Sequence, residues 1–259
     1  MDNYRERYGL SVKREDLSCP SPGPPFSKTR GVYAHLSKID HDIIGVLDTY
    51  HSQAGHAVSR ACQILGKNCI NFYPEYKNEP GHREPQDQAK KLGADLHGLK
   101  AGRSCILFHQ ARKIIESRGG YMMPNALKLD ESVTETASEV QDDYRRFDKV
   151  LIAASSGTIA AGVIKGFADI GQNPRYIIHL GYSRSHEQVE RYLKKKSGVD
   201  EGLRLFIIDE GYGYRDTAKD GIDPPFPCNE YYDLKTFRWW VKYGRKEFGT
   251  GSTLFWNIG

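Results

Sequence analysis

The stretch FDKVLIAASSGTIAAGVIKGF, residues 147–167, decides the fold. An apolar run meets a loop of small residues that opens directly into an Ala/Gly-rich helical pattern. Val150 to Ala154 has the unbroken apolar character of a buried parallel strand. Ser155, Ser156, Gly157 and Thr158 then leave backbone N–H groups unblocked at the positive end of the following helix, a cradle for a dianionic phosphate. Neither the nucleotide P-loop pattern nor GxGxxG is present, so this loop predicts a small phosphorylated cofactor rather than ATP or NAD. Taken alone, a Ser/Gly turn between strand and helix is equally a tight connection.

Outward from this unit the chain alternates. Apolar or β-branched runs predict strands over Ile43–Thr49, Cys69–Phe72, Asp95–Leu99, Val150–Ala154, Tyr176–Leu180, Leu205–Asp209 and Thr253–Trp256. Helical periodicity lies between them near Ala54–Leu65, Pro85–Leu92, Ser104–Arg118, Glu131–Arg146, Thr158–Asp169, Ser185–Lys196 and Lys235–Phe248. Such alternation predicts parallel sheets covered by helices on both faces, with ligand loops at the strand C-termini. No repeat of solenoid period interrupts it.

A chain of 259 residues with 39% hydrophobic content can bury a substantial core in one large domain or two small ones. No segment approaches the roughly 18 uninterrupted apolar residues of a membrane span, and the polar start MDNYRERYG is unlike a secretory signal. A cytoplasmic location without membrane contact is therefore expected. The five cysteines, at 19, 62, 69, 105 and 228, form no CxxC pair and no metal-spaced cluster, so reduced and mostly buried thiols are expected, with no metal. Net charge is +4, and the runs at Lys194, Lys195, Lys196 and at Lys242, Arg245, Lys246 read as solvated faces or, alternatively, as contacts to polymer phosphates.

Near the N-terminus, VKREDLSCPSPGPPFSKTRGVYAHL (12–36) sets Lys28 after a Pro-rich loop and before a helical pattern, and IIGVLDTYHSQAGHAVSRACQILG (43–66) follows. With GGYMMPNAL (119–127), the Ser155–Thr158 loop, DEGYGY (209–214), NEYYDLK (229–235) and TLFWNIG (253–259), these strings stand in the order found in one family. The chain resembles the fold-type II pyridoxal-phosphate enzymes, in the branch of aminocyclopropane-carboxylate deaminase and D-cysteine desulfhydrase. The resemblance implies an α/β fold of two domains with parallel open twisted sheets flanked by helices, similar to the tryptophan synthase β-subunit. It divides the chain into a large cofactor-binding domain, residues 1–31 and 129–259, and a small inserted domain, residues 32–128, with pyridoxal 5′-phosphate in the cleft between them.

The resemblance also assigns roles. Lys28 occupies the position of the lysine that forms an imine with the cofactor aldehyde, although Ser27 replaces the usual Asn; Arg30 and partial burial would lower its pKa. Ser155, Ser156, Gly157 and Thr158 would hold the phosphate. Tyr232 matches the active-site tyrosine, and Asp233 the carboxylate that keeps the pyridine nitrogen protonated, with Leu234 in place of a glycine; an N-cap is the other reading of Asp233. Gln53 falls where an asparagine contacts the cofactor's phenolic oxygen, and Ser52 where the branch carries a reactive serine. Tyr50 and His51 stand where relatives have small residues, so they reshape the substrate carboxylate pocket or point into the core, and His51 is an acid/base or a structural histidine. Tyr212 and Tyr214 resemble the loop lining the substrate cleft. Asn257 lies in a string where Ile258 replaces the family's threonine.

Three functions are compatible with these residues. The first is a lyase that forms an imine through Lys28 and eliminates or deaminates a small free amino acid. The second follows the compact phage relatives that hypermodify thymine, and isomerises or decarboxylates an amino acid attached to the base in DNA or a nucleotide, in the host cytoplasm. The third is a binding module without turnover, which Lys28, Tyr232 and Asp233 together argue against. The family commonly forms homodimers.

Overall fold

The computed structural model describes residues 2–19, 23–24, 26–79 and 81–259. Pro20, Ser21, Pro22 and Pro25 of the Pro-rich loop lie outside the described residues. The chain begins with β1 (Asp2–Tyr4), α1 (Arg5–Tyr8) and β2 (Leu10–Arg14). It continues through α2 (Thr29–Leu36), β3 (Ile43–Leu47), α3 (Ala54–Leu65), β4 (Asn68–Glu75), α4 (Glu84–Lys91), β5 (Asp95–Lys100), α5 (Ser104–Ser117) and β6 (Tyr121–Met122). Then come α6 (Asp130–Ala137), β7 (Lys149–Ala154), α7 (Thr158–Asp169), β8 (Arg175–Leu180), α8 (His186–Ser197), β9 (Leu205–Ile208), α9 (Asp233–Trp239), α10 (Arg245–Glu247) and β10 (Thr253–Asn257).

These elements form an α/β fold whose two compact units each carry one sheet. The first unit comprises residues 1–18, 25–27 and 132–259, and the second residues 19–24 and 28–131. The boundaries differ from those implied by resemblance: residues 19–24, residues 28–31, with Lys28, and residues 129–131 belong to the second unit.

In the first unit the strand order is β1-β2-β10-β7-β8-β9, parallel throughout except that β1 runs antiparallel to β2 at the edge. All six residues of β7 are buried, as an unbroken apolar run covered on both faces requires. The helix expected over 131–146 is two pieces, α6 and a 3-10 turn at Asp142–Arg146. The break after Ala137 carries Val140, Tyr144 and Phe147 into the core beside Phe167 and Trp256, which one straight helix would not do. The helix expected from Lys235 begins at Asp233 and passes through a π-helical turn at Trp240–Gly244; Trp239 and Trp240 are both buried there.

The second unit holds a fully parallel sheet of order β5-β4-β3-β6. Because the strands are parallel, the loops after β3, β4 and β6 leave from one edge, and those after β7 and β8 leave from one edge of the first sheet. Among the described residues no helix is long and apolar enough to cross a membrane. All five cysteines are free thiols, but only Cys62 and Cys69 are buried, so the expectation of mostly buried thiols does not hold; Cys105 is exposed because it sits on the outer face of α5.

Candidate active site

In the first unit the small-residue loop leads directly from β7 into α7. Gly157 takes φ +86° as the N-cap of α7, a conformation that favours glycine, and a Cβ there would stand 3.2 Å from the Tyr192 ring. The first-turn N–H groups of α7 lack intrahelical acceptors and lie at its positive end. Thr158 Oγ1 is 2.9 Å from the Tyr192 hydroxyl and 3.1 Å from Ser156 Oγ, and the Arg184 guanidinium donates to the Ser155 carbonyl. The loop is thus braced from α8 and carries a cation beside it.

Tyr232 and Asp233 sit at the start of α9. The Tyr232 phenol pairs with the Ser155 hydroxyl, which joins this helix to the phosphate loop, and burial pushes its pKa well above the usual tyrosine range. Asp233 is fully buried. Its Oδ1 accepts the Ile258 N–H at 3.0 Å, while Oδ2 has no partner among the described residues. Tyr232, not Asp233, is the N-cap residue of α9; the Asp233 carboxylate meets its own backbone N–H and is held by the chain leaving β10. Burial pushes it up to about 7, Asp16 adds to the effect, and the N–H groups it meets oppose it. Two residues on, Lys235 is buried with Nζ donating to the Gly181 carbonyl at 2.6 Å and lying 4.3 Å from the Tyr212 ring centre; burial lowers it to about 8. Tyr212 is accordingly packed inside, whereas Tyr214 is 37% exposed and meets Tyr182 edge-on.

In the second unit Lys28 immediately precedes α2 and is 9% exposed. Its Nζ donates to the Ala126 carbonyl at 2.9 Å. Ala126 and Leu127 adopt φ +58° and +47°, a left-handed pair that costs of order 1 kcal/mol per residue and turns that carbonyl toward the amine. Burial, reinforced by the Lys128 ammonium, pulls Lys28 down to about 7. The second cation is thus Lys128 and not Arg30, because the turn after β6 delivers Lys128 to the amine.

The loop after β3 is organised by a residue with no sequence signal. Asp48 is fully buried and accepts from Gly55 N–H at 2.7 Å, Asn71 Nδ2 at 2.9 Å and Gln86 Nε2 at 3.0 Å. Burial pushes it up to about 6 against those donors and the Ser52 hydroxyl. The backbone at Gly55 comes so close that a Cβ would lie 2.1 Å from Asn71 Nδ2. Ser52 Oγ also accepts the Ala54 N–H at 3.0 Å, and Gln53 Oε1 is 3.4 Å from His56 Nδ1. His51 is buried beside the half-buried Tyr50, which packs against Arg83, whose guanidinium lies 4.2 Å from its ring centre and 5.2 Å from that of Tyr76. Arg83 also pairs with Glu79 at 2.8 Å. Residues absent from the sequence reading but present in these two clusters are thus Asp48, Arg83, Ala126, Lys128, Arg184 and Lys235.

The family described as pyridoxal-phosphate dependent enzyme matches residues 2–202. A glycyl-dTMP PLP-dependent decarboxylase from Pseudomonas phage M6 is 47% identical over 261 residues, covering 96% of this chain and 94% of that protein. The chain belongs to the pyridoxal-phosphate dependent enzyme family. Among solved structures, an ACC deaminase homologue superposes with a TM-score of 0.79 at 20% identity, over 98% of this chain and 86% of that one. The processed threonine deaminase isoform 2 of Solanum lycopersicum gives 0.68 at 15%, over 98% and 80%. These two likenesses carry the fold, that of the fold-type II enzymes. The cofactor of this pyridoxal-phosphate enzyme is pyridoxal 5′-phosphate, and the residues fit it: Asp233 Oδ2 is a buried acceptor without a donor, which a protonated pyridine nitrogen would supply, and the α7 N-terminus suits a phosphate.

Proposed function

We propose that this enzyme removes CO2 from a glycyl group carried by a thymidine-type nucleotide. The observation that carries the reading is the 47% identity across 96% of the chain to the phage M6 glycyl-dTMP decarboxylase. Pyridoxal phosphate, when bound, supplies an aldehyde that condenses with an amine and a ring that takes up the electron pair of a bond broken at the amine-bearing carbon. Lys28 would anchor the aldehyde. An amine at about 7 is half neutral at physiological pH and can both attack and carry a proton, where an exposed lysine would be neutral about once in 3,000.

The loop Ser155–Thr158 and the α7 N-terminus would hold the cofactor phosphate, with Arg184 adding positive charge. Asp233 Oδ2 would accept the ring N–H and keep the ring protonated. Gln53 and Ser52 would face the phenolic oxygen and the substrate's amine-bearing carbon. Breaking the bond to the carboxylate releases CO2, and the carbon left behind takes a proton, which Lys28 Nζ would deliver. At the same sheet edge, Tyr50, Tyr76 and Arg83 offer two aromatic rings and a guanidinium, a wall suited to a pyrimidine nucleotide rather than to a small free amino acid. The enzyme would assemble as a homodimer and act in the cytoplasm of an infected host.

The test incubates the cofactor-loaded enzyme with glycyl-dTMP, with the same modification in DNA, and with free glycine, D-cysteine and aminocyclopropane carboxylate. Mass spectrometry then follows the products. Loss of CO2 from the glycyl nucleotide, with the free amino acids untouched, is the expected result. Ammonia and a keto acid from a free amino acid would replace this reading with the lyase one, which now rests on fold likeness at 20% identity.

A further inference from the structure

We infer a second phosphate-binding site at the N-terminal edge of the six-stranded sheet, on the edge opposite the Ser155–Thr158 loop. A cavity of about 480 Å³ opens there, where β7, β8, β9 and β10 begin. The six residues of β7 separate it from the cofactor's phosphate loop by about 20 Å at 3.3 Å per residue. It lies wholly within the first unit and is independent of the proposed reaction.

Its lining brings together Arg145, Lys149, Arg175 and Arg204 against a single carboxylate, Asp148. That carboxylate is occupied: its Oδ2 accepts the Ser252 N–H at 2.7 Å and the Ser252 hydroxyl at 2.9 Å. Among the described residues Arg175 and Arg204 make no salt bridge. Arg145 reaches only Asp142, an exposed pair at 3.2 Å worth little in water. Lys149 is 2% exposed, so its ammonium is held inside the wall with Nζ donating to the Thr250 carbonyl at 2.8 Å. The turn that closes over it is specific. Gly251 has φ +111°, and a Cβ there would stand 2.8 Å from Asp148 Oδ2 and 2.9 Å from Lys149 Nζ.

Arg175 repels Lys149 across this cavity, Arg145 and Arg204 add positive charge to its lining, and a bound dianion would offset that repulsion. Guanidinium forks pair with phosphate oxygens two at a time, and a phosphate monoester, with three terminal oxygens and up to two charges, can meet more than one fork where a carboxylate offers two oxygens and one charge. The volume exceeds that of a bare phosphate and admits an attached sugar. The aromatic residue of the lining, Phe147, is itself buried in the core, so no ring is presented for a base to stack on and recognition should be indifferent to base identity. A free nucleotide and a nucleic-acid strand both present this chemistry.

The experiment uses the cofactor-loaded enzyme, so that the Ser155–Thr158 loop is filled, with dAMP and a short single-stranded deoxyadenosine oligonucleotide as probes. Binding is read by calorimetry and fluorescence anisotropy for the wild type, for Arg175→Ala/Arg204→Ala, whose side chains are exposed, and for Lys195→Ala/Lys196→Ala as a charge-matched control. Saturable binding that weakens at least tenfold in the arginine variant, and not in the control, with the cofactor absorption band unchanged, supports the site. Loss with both probes identifies a mononucleotide site, and loss with the oligonucleotide alone identifies a strand site. No saturable binding, or equal weakening in both variants, overturns it.

Discussion

Replacing Asp233 with Asn should make the cofactor-free protein more stable at neutral pH than at acid pH, relative to wild type. The carboxyl is raised from 3.8 to about 7 by burial, so the folded protein binds this proton more tightly than the unfolded chain does. Folding stability therefore falls as pH rises through the window between those values, and the loss is complete above about 7. At 1.36 kcal/mol per unit, Asp233 removes about 3 kcal/mol of stability between pH 5 and pH 7.5. Asn retains an acceptor for the Ile258 N–H but has no charge to bury. Asp48, raised to about 6, lowers stability over part of the same window, and Lys28 raises it only above about 7; both act equally in the two proteins and cancel in the difference. Urea unfolding of cofactor-free wild type and Asp233→Asn at four pH values supplies that difference. An advantage of the variant that grows by about 3 kcal/mol from pH 5 to pH 7.5 is expected, together with weaker binding of pyridoxal phosphate. A difference that does not change with pH would refute the claim that a buried carboxylate with one oxygen unpartnered waits for the cofactor.

Three further outcomes follow from the geometry. Gly157→Ala places a side chain at φ +86° and against Tyr192, so it should cost about 1–2 kcal/mol in stability and weaken cofactor binding roughly tenfold, as equilibrium dialysis would show. Lys128→Ala removes the cation whose charge helps lower Lys28, which favours the charged amine; the pH at which the cofactor's visible band half-forms should move upward, and a downward move would contradict the assignment. Ala126→Gly relieves one left-handed residue and should stabilise the cofactor-free protein by about 0.5–1 kcal/mol in thermal or urea unfolding.

What could be read from the chain alone was what is local. Two helices, α3 and α7, begin and end where periodicity places them, and the phosphate loop between β7 and α7 is a contiguous string with its own chemistry. β1 and β2 were not legible, because three and five residues carry too little pattern and the pairing of β2 with β10 is set from the far end of the chain. The environment of the candidate catalytic groups was not legible for the same reason. The carbonyl that meets Lys28 comes from 98 residues away, the amide that holds Asp233 from 25 residues away, and the donors on Asp48 include Asn71 and Gln86 from neighbouring elements. Tyr212 and Tyr214 look alike in sequence, yet the first is packed against Lys235 and the second faces outward. The basic runs at 194–196 and 242–246 are visible in the string, whereas the convergence of Arg145, Lys149, Arg175 and Arg204 exists only once the strands are side by side.

The most direct test of the central claim is to treat the cofactor-loaded enzyme with borohydride, digest it and locate the pyridoxyl group by mass spectrometry. A single modified peptide carrying the group on Lys28 is expected. Modification of Lys235, the other buried lysine with a lowered pKa near a candidate site residue, or of no lysine at all, would contradict it.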